Sequence, residues 1–120
     1  MFLAVRLRKN QATQKEIPGI INGTFNLNGG LFTEEGKARH WHRMTKDEAV
    51  SLFKDSPHEI AAHSLTHPNL TDLAYADVYK EVADDRRVLE EVFGCPVRGM
   101  AYPFGTYNGT TVNAVKDAGM

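Results

Sequence analysis

The chain has one cysteine, one tryptophan, almost no net charge and no long apolar run, and each shortage removes a class of explanation. A single thiol, Cys95, closes no internal disulfide, so the fold cannot lean on a covalent staple of its own. Lying between Gly94 and Pro96 just past a helix end, Cys95 reads as a small, partly buried spacer more readily than as a reactive group. Fourteen basic residues against fifteen acidic ones give a net charge of −1 with the signs mixed, which leaves no electrostatic case for nucleic acid or an anionic membrane as partner. No segment approaches the length of a membrane span. The opening Met1-Phe2-Leu3-Ala4-Val5 is too short for a signal-peptide core and has Arg6, Arg8 and Lys9 on the wrong side, so a cytoplasmic location is expected of the chain as it stands. With 120 residues, 42% of them hydrophobic, one small domain burying about two-thirds of its unfolded surface is within reach.

Histidine is where chemistry concentrates. In His58-Glu59-Ile60-Ala61-Ala62-His63-Ser64-Leu65-Thr66-His67-Pro68-Asn69-Leu70, a short apolar run delivers two imidazoles four positions apart and then meets a proline. Imidazole nitrogen suits zinc and similar divalent ions, and His63 and His67, one helical turn apart, can aim at a common point. They are the expected metal ligands, and at least one more is needed. His58-Glu59 followed by His63 nearly spells the metalloprotease helix, but the second histidine comes one residue too late for it. In an extended segment Glu59, Ala61 and His63 share one side and His58, Ile60 and Ala62 the other. A strand here carries His63 to its C-terminal end, where open α/β sheets place their ligands.

Strands and helices alternate along the chain. Gln11 to Ile17 is expected to be helical, and Ile20 to Leu27 a strand interrupted by Asn22-Gly23. Leu31 to Met44 is an irregular excursion carrying Trp41 between two histidines. Thr45-Lys46-Asp47-Glu48 has the capping-box pattern and starts a helix to about Lys54. Tyr75, Val78, Val82, Leu89 and Phe93 recur at helical spacing, and Gly94 sits where a C-cap belongs. Val97 to Tyr102 reads as a strand, Pro103-Phe104-Gly105 as a turn, and Thr110 to Ala118 as a last helix closed by Gly119. The strands of Ile20, His58 and Val97 are expected to be parallel neighbours with helices outside, putting His63 and Phe104 at the same end of the sheet.

His63-Ser64-Leu65-Thr66-His67-Pro68, after Glu59-Ile60, resembles the H-[ST]-x-x-H metal motif of the polysaccharide deacetylases of carbohydrate esterase family four. Gly99-Met100-Ala101-Tyr102-Pro103-Phe104-Gly105-Thr106-Tyr107-Asn108 is similar to that family's next motif, an aromatic P-[YF]-G turn forming a wall of the substrate groove. Gly23-Thr24-Phe25-Asn26-Leu27-Asn28 is a weaker echo of its second strand. The resemblance covers residues 20–120 and implies a partial domain with an α/β fold, a distorted (β/α) barrel. It implies a metal-dependent hydrolase using a divalent ion, zinc being the one expected, that removes acetyl groups from N-acetylated amino sugars of a polysaccharide, some relatives acting on O-linked esters. By the same resemblance the Phe104 backbone amide donates to the oxyanion, and Tyr102, Pro103 and Phe104 meet the substrate.

The family's first motif supplies two aspartates, a metal ligand and the general base, yet Met1 to Gly19 hold no aspartate. Its last two motifs, with a groove tryptophan and a histidine acid, belong after Met120. The family's arginine aligns with Ala101, and Arg98 stands three residues earlier. Other candidates are His40-Trp41-His42 as an aromatic sugar platform, an accessory ligand set or an exposed polar loop, and Asp72 as a substitute ligand. Ser64 and Thr66 are better as loop-fixing hydroxyls than as nucleophiles, and Asp84-Asp85 reads as a solvated helix face beside Arg86-Arg87. Three classes stay open: a deacetylase fragment, a non-catalytic sugar- or metal-binding relative, and an unrelated small zinc-binding or interaction domain. An incomplete barrel also implies self-association through open edges.

Overall fold

The computed structural model describes residues 2–5, 22–33 and 43–120, so the expected helix of Gln11 to Ile17 and the His40-Trp41-His42 cluster lie outside the described residues. Strands β1 (Phe2–Val5), β2 (Gly23–Leu27) and β3 (Glu59–Ala62) form a sheet in that order. β1 runs antiparallel to β2, an element the sequence reading did not anticipate. β2 and β3 are parallel, with Thr24 opposite Glu59 and Leu27 opposite Ala62. Helix α1 (Lys46–Phe53) joins them, and helix α2 (Tyr75–Phe93) leads from β3 to a parallel bridge between Ala62 and Met100. Helix α3 (Gly109–Asp117) packs on α2.

The helices stop and start where local chemistry requires. At α1 the Thr45 hydroxyl accepts from the Glu48 N–H while Glu48 reaches back to the Thr45 N–H, the reciprocal pair expected. At the end of α2, Gly94 takes a left-handed φ of 67°, which glycine adopts without a Cβ clash. Asn108 caps α3 by accepting from the Thr111 N–H.

The stretch from Val97 to Tyr102 departs from the expected strand. Its pairing with β3 consists of the Ala62 N–H donating to Gly99 O and the Ala101 N–H to Ala62 O. The Val97 N–H is taken by the Glu90 carboxylate at 3.1 Å, so the entry to this segment belongs to the end of α2 and not to the ladder.

Two apolar clusters hold the chain. Leu27, Ile60 and Ala62 of the sheet bury against Ala49 and Phe53 of α1 and Leu89 and Phe93 of α2, with Val97. Further along α2, Val78 and Val82 bury against Leu70, Ala114, Val115 and Ala118. Ile60 and Ala62 thus face the helices, while the opposite face carries Asn26 and Ala61, also buried, and Thr24, which donates to Glu59. Period-two alternation hands His63 to that second face. Tyr75 departs from the expected stripe: it is exposed, stacked on Tyr79, and its hydroxyl donates to Asp117. Among the described residues no helix is long and apolar enough to cross a membrane.

Candidate metal and substrate site

His63 leaves the end of β3 and His67 follows four residues later, but no helical turn joins them. The loop turns through two non-glycine residues with positive φ, Ser64 at 64° and His67 at 62°, and this brings the imidazole centroids to 4.8 Å. The two rings are therefore neighbours, but by a route other than the expected helical turn. Such backbone costs of order 1–3 kcal/mol per residue and persists only where neighbours over-determine it.

Those neighbours are hydrogen bonds. The His63 N–H donates to Asp85 Oδ2 at 2.9 Å and shares itself with Leu27 O at 3.1 Å. Asn28 Nδ2 donates to His63 O at 2.6 Å and to Ser64 O at 2.8 Å. The Gly30 N–H donates to Leu65 O, and the Leu65 N–H to Glu81 O. Thr66 donates both its N–H and its hydroxyl to the Glu81 carboxylate. The Ser64 hydroxyl accepts from the His67 N–H at 3.1 Å, so Ser64 and Thr66 fix the loop as expected, Thr66 through a side chain of α2.

The ring of His63 is buried, with Nδ1 2.8 Å from Ala101 O. A carbonyl only accepts, so Nδ1 carries the proton and Nε2 is the lone-pair nitrogen, the arrangement in which an imidazole serves a metal. Burial lowers the His63 pKa, the Ala101 hydrogen bond opposes this, and the nearby His67 lowers it further. Burial thus favours the neutral ring over the charged one at His63.

Phe104 closes the other side. Its ring meets His67 edge-on at 4.8 Å and is 68% exposed, on a backbone at φ 60°. The turn's own hydrogen bonds run from the Gly105 N–H to Tyr102 O and from the Thr106 N–H to Pro103 O, and neither uses the Phe104 N–H. Pro103, expected at the substrate, is buried and shapes the turn without offering a surface. Tyr102 is half-buried, packed against the Leu70 cluster and tilted on Tyr107 at 5.5 Å. Tyr107, 67% exposed, is the ring that stands beside Phe104 in the sequence motif as an open face.

Asp85 corrects the reading of a solvated acidic pair. Asp84 does pair with Lys80 and Arg87, but Asp85 is wholly buried, accepting from the Gly29 N–H at 2.6 Å through Oδ1 as well as from His63. Burial pushes its carboxyl up to about 7, against the downward pull of the two N–H donors. The signal was in the sequence: position 85 falls on the same helical stripe as Val78, Val82, Leu89 and Phe93. Asn28 and Glu81 were missed as well, and nothing local to either residue announces its role.

Two imidazoles could hold a divalent ion, and among the described residues no histidine, cysteine or carboxylate makes a group of three with them. Asp72 and Arg98 are exposed, and Asp72 does not join the pair. The donor chemistry fits zinc as two ligands of a larger set.

The sequence pattern of the polysaccharide deacetylase family matches residues 20–120. The chain belongs to the polysaccharide deacetylases. No curated protein matches it. Among solved structures it is similar to the Streptococcus pyogenes deacetylase PplD in complex with acetate, at 26% identity and a TM-score of 0.67, covering 80% of this chain and 40% of that one. A family 4 carbohydrate esterase from Streptomyces lividans, in complex with acetate, matches at 25% identity and 0.57, covering 61% and 38%. A CE4 family pseudoenzyme from Bacillus anthracis matches at 27% and 0.56, covering 62% and 27%. The chain thus spans well under half the length of each of these relatives. As a polysaccharide deacetylase it carries part of the family's (β/α) barrel: two parallel strands, helices on one face, the His63 motif at the C-terminal end of β3 and the Phe104 turn after the segment bridged to it.

Proposed function

We propose that this polysaccharide deacetylase segment supplies two metal ligands, His63 and His67, and the oxyanion donor, the Phe104 N–H, to the hydrolysis of acetyl groups on N-acetylated amino sugars of a polysaccharide. The observation that carries the reading is the run of contacts from His63 to His67 to Phe104, each step 4.8 Å between ring centroids. When bound, a divalent ion such as zinc makes its water more acidic and polarises the acetyl carbonyl. The chain's own residues do the rest that is proposed for it. His63, whose Nδ1–H donates to Ala101 O, would offer its other ring nitrogen to the ion, and His67 would supply the second ligand. The stiff Pro103 turn aims the Phe104 N–H at the oxygen that gains charge as the carbonyl is attacked. The Phe104 and Tyr107 rings give the apolar face of a sugar a surface to lie on, with Tyr102 behind them.

Hydrolysis also needs a base for the water and an acid for the leaving amine. Among the described residues no carboxylate completes a metal-holding group of three with the histidine pair, and a second reading is a relative that binds sugar or metal without turnover. Similarity to a pseudoenzyme supports the same alternative. Groups worth roughly 10²-fold or more each are involved, so these 120 residues, supplied with zinc or cobalt, are expected to release acetate from chitooligosaccharides no faster than a His63→Ala control. Robust release that depends on His63 would overturn the expectation and place a base within the chain.

A further inference from the structure

We infer that Asp85 and Glu81, one turn apart on α2, are positioning residues whose carboxylates set the aim of His63 and His67. The inference rests on the reading of the two histidines as ligands and adds to it the part that orients them. Both oxygens of Asp85 accept from backbone N–H groups: Oδ1 takes Gly29 and Oδ2 takes His63. Asn28, next to Gly29, then holds the His63 carbonyl, so the peptide on each side of the His63 Cα is gripped. With both peptides fixed, the ring meets Ala101 O at Nδ1 and its tautomer is chosen. Glu81 does the corresponding work one turn earlier, taking the N–H and hydroxyl of Thr66 beside His67.

The approach is close enough to restrict the sequence. A Cβ on Gly29 would stand 2.8 Å from Val88 and 3.0 Å from Asp85, and one on Gly30 2.7 Å from Leu65 O. A buried carboxyl in an otherwise apolar stripe is costly. Holding a loop with positive φ at Ser64 and His67 is the work that this cost accomplishes.

Asp85→Asn tests the idea with little change of volume, because an amide matches only one of two N–H donors and turns its own NH2 toward the other. Two readouts on the full chain separate aim from folding: nitrogen NMR of the His63 ring without metal, and zinc titration. In Asp85→Asn the Nδ1-protonated tautomer should give way to a mixture, and zinc affinity should fall roughly 10- to 100-fold. Glu81→Gln, at an exposed contact, should weaken zinc several-fold and move the His67 nitrogens. Arg86→Ala, which removes bonds from the same helix to the carbonyls of Ala118 and Gly119, should lower stability and leave both readouts alone. An unchanged His63 tautomer in a folded Asp85→Asn overturns the inference, as does an Arg86→Ala effect of equal size. Should Asp85→Asn fail to fold, unchanged His67 nitrogens in Glu81→Gln overturn it. If the unaltered chain takes up no zinc, the ligand reading fails and the tautomer comparison still decides the positioning.

Discussion

Three residues around the candidate site, Ser64, His67 and Phe104, hold a backbone that side chains other than glycine rarely adopt. Stability does not account for Phe104, which combines that backbone with a ring mostly in water. Phe104→Gly removes the strain and little burial, so chemical denaturation should show unchanged stability or a gain of up to about 1 kcal/mol. The same variant should lose affinity for N-acetylated oligosaccharides in a binding titration. A loss of more than about 1 kcal/mol on denaturation would mean that the ring serves the core and not a ligand. At this scale residue type and spacing singled out His63, His67 and Phe104, whose rings do adjoin. What it did not disclose is how they adjoin. Backbone φ at Ser64 and His67 has no signature in a serine or a histidine, and Asp85 was hidden by its neighbour, since two adjacent aspartates beside two arginines look solvated until the helix is rotated to find that only one faces water.

Among the elements, α2 carries most of the organisation, joining both apolar clusters and holding the histidine loop through buried Asp85 and the exposed hydrogen bonds of Glu81. Its limits, the α1 capping box and the parallel pairing of β2 with β3 follow from periodicity and terminal residues alone, because those signals are local. The Val97 to Tyr102 segment was misjudged because its fate depends on a carboxylate seven residues back. Glu90 binds the Val97 N–H, and this, followed by its pairing with Arg86, holds its carboxyl below the ordinary 4.5. A carboxyl depressed in the folded state adds stability above its unfolded pKa that disappears as pH falls through the folded one. Glu90→Gln should therefore destabilise at pH 7 by less than about 1 kcal/mol, given its partial exposure, and match the parent once pH is well below 4.5. Denaturation midpoints at both pH values check this, and a difference that grows toward acid would contradict it.

At the largest scale, the described residues form part of a barrel, three strands with helices packed on one face and a further segment attached to β3 at a single bridge. Strand edges of that kind pair with further chain, so light scattering of the 120 residues should show association that rises with concentration. A monomer across a wide concentration range would contradict the open-edge view. The central claim, that this part of a polysaccharide deacetylase presents two imidazoles to one divalent ion, is tested most directly by equilibrium dialysis against zinc. Two protein ligands leave the ion mostly hydrated, so binding should be weaker than at a structural zinc site. The account predicts measurable zinc uptake that His63→Ala and His67→Ala each abolish, with both variants still folded. Equal uptake by the parent and both variants would contradict it.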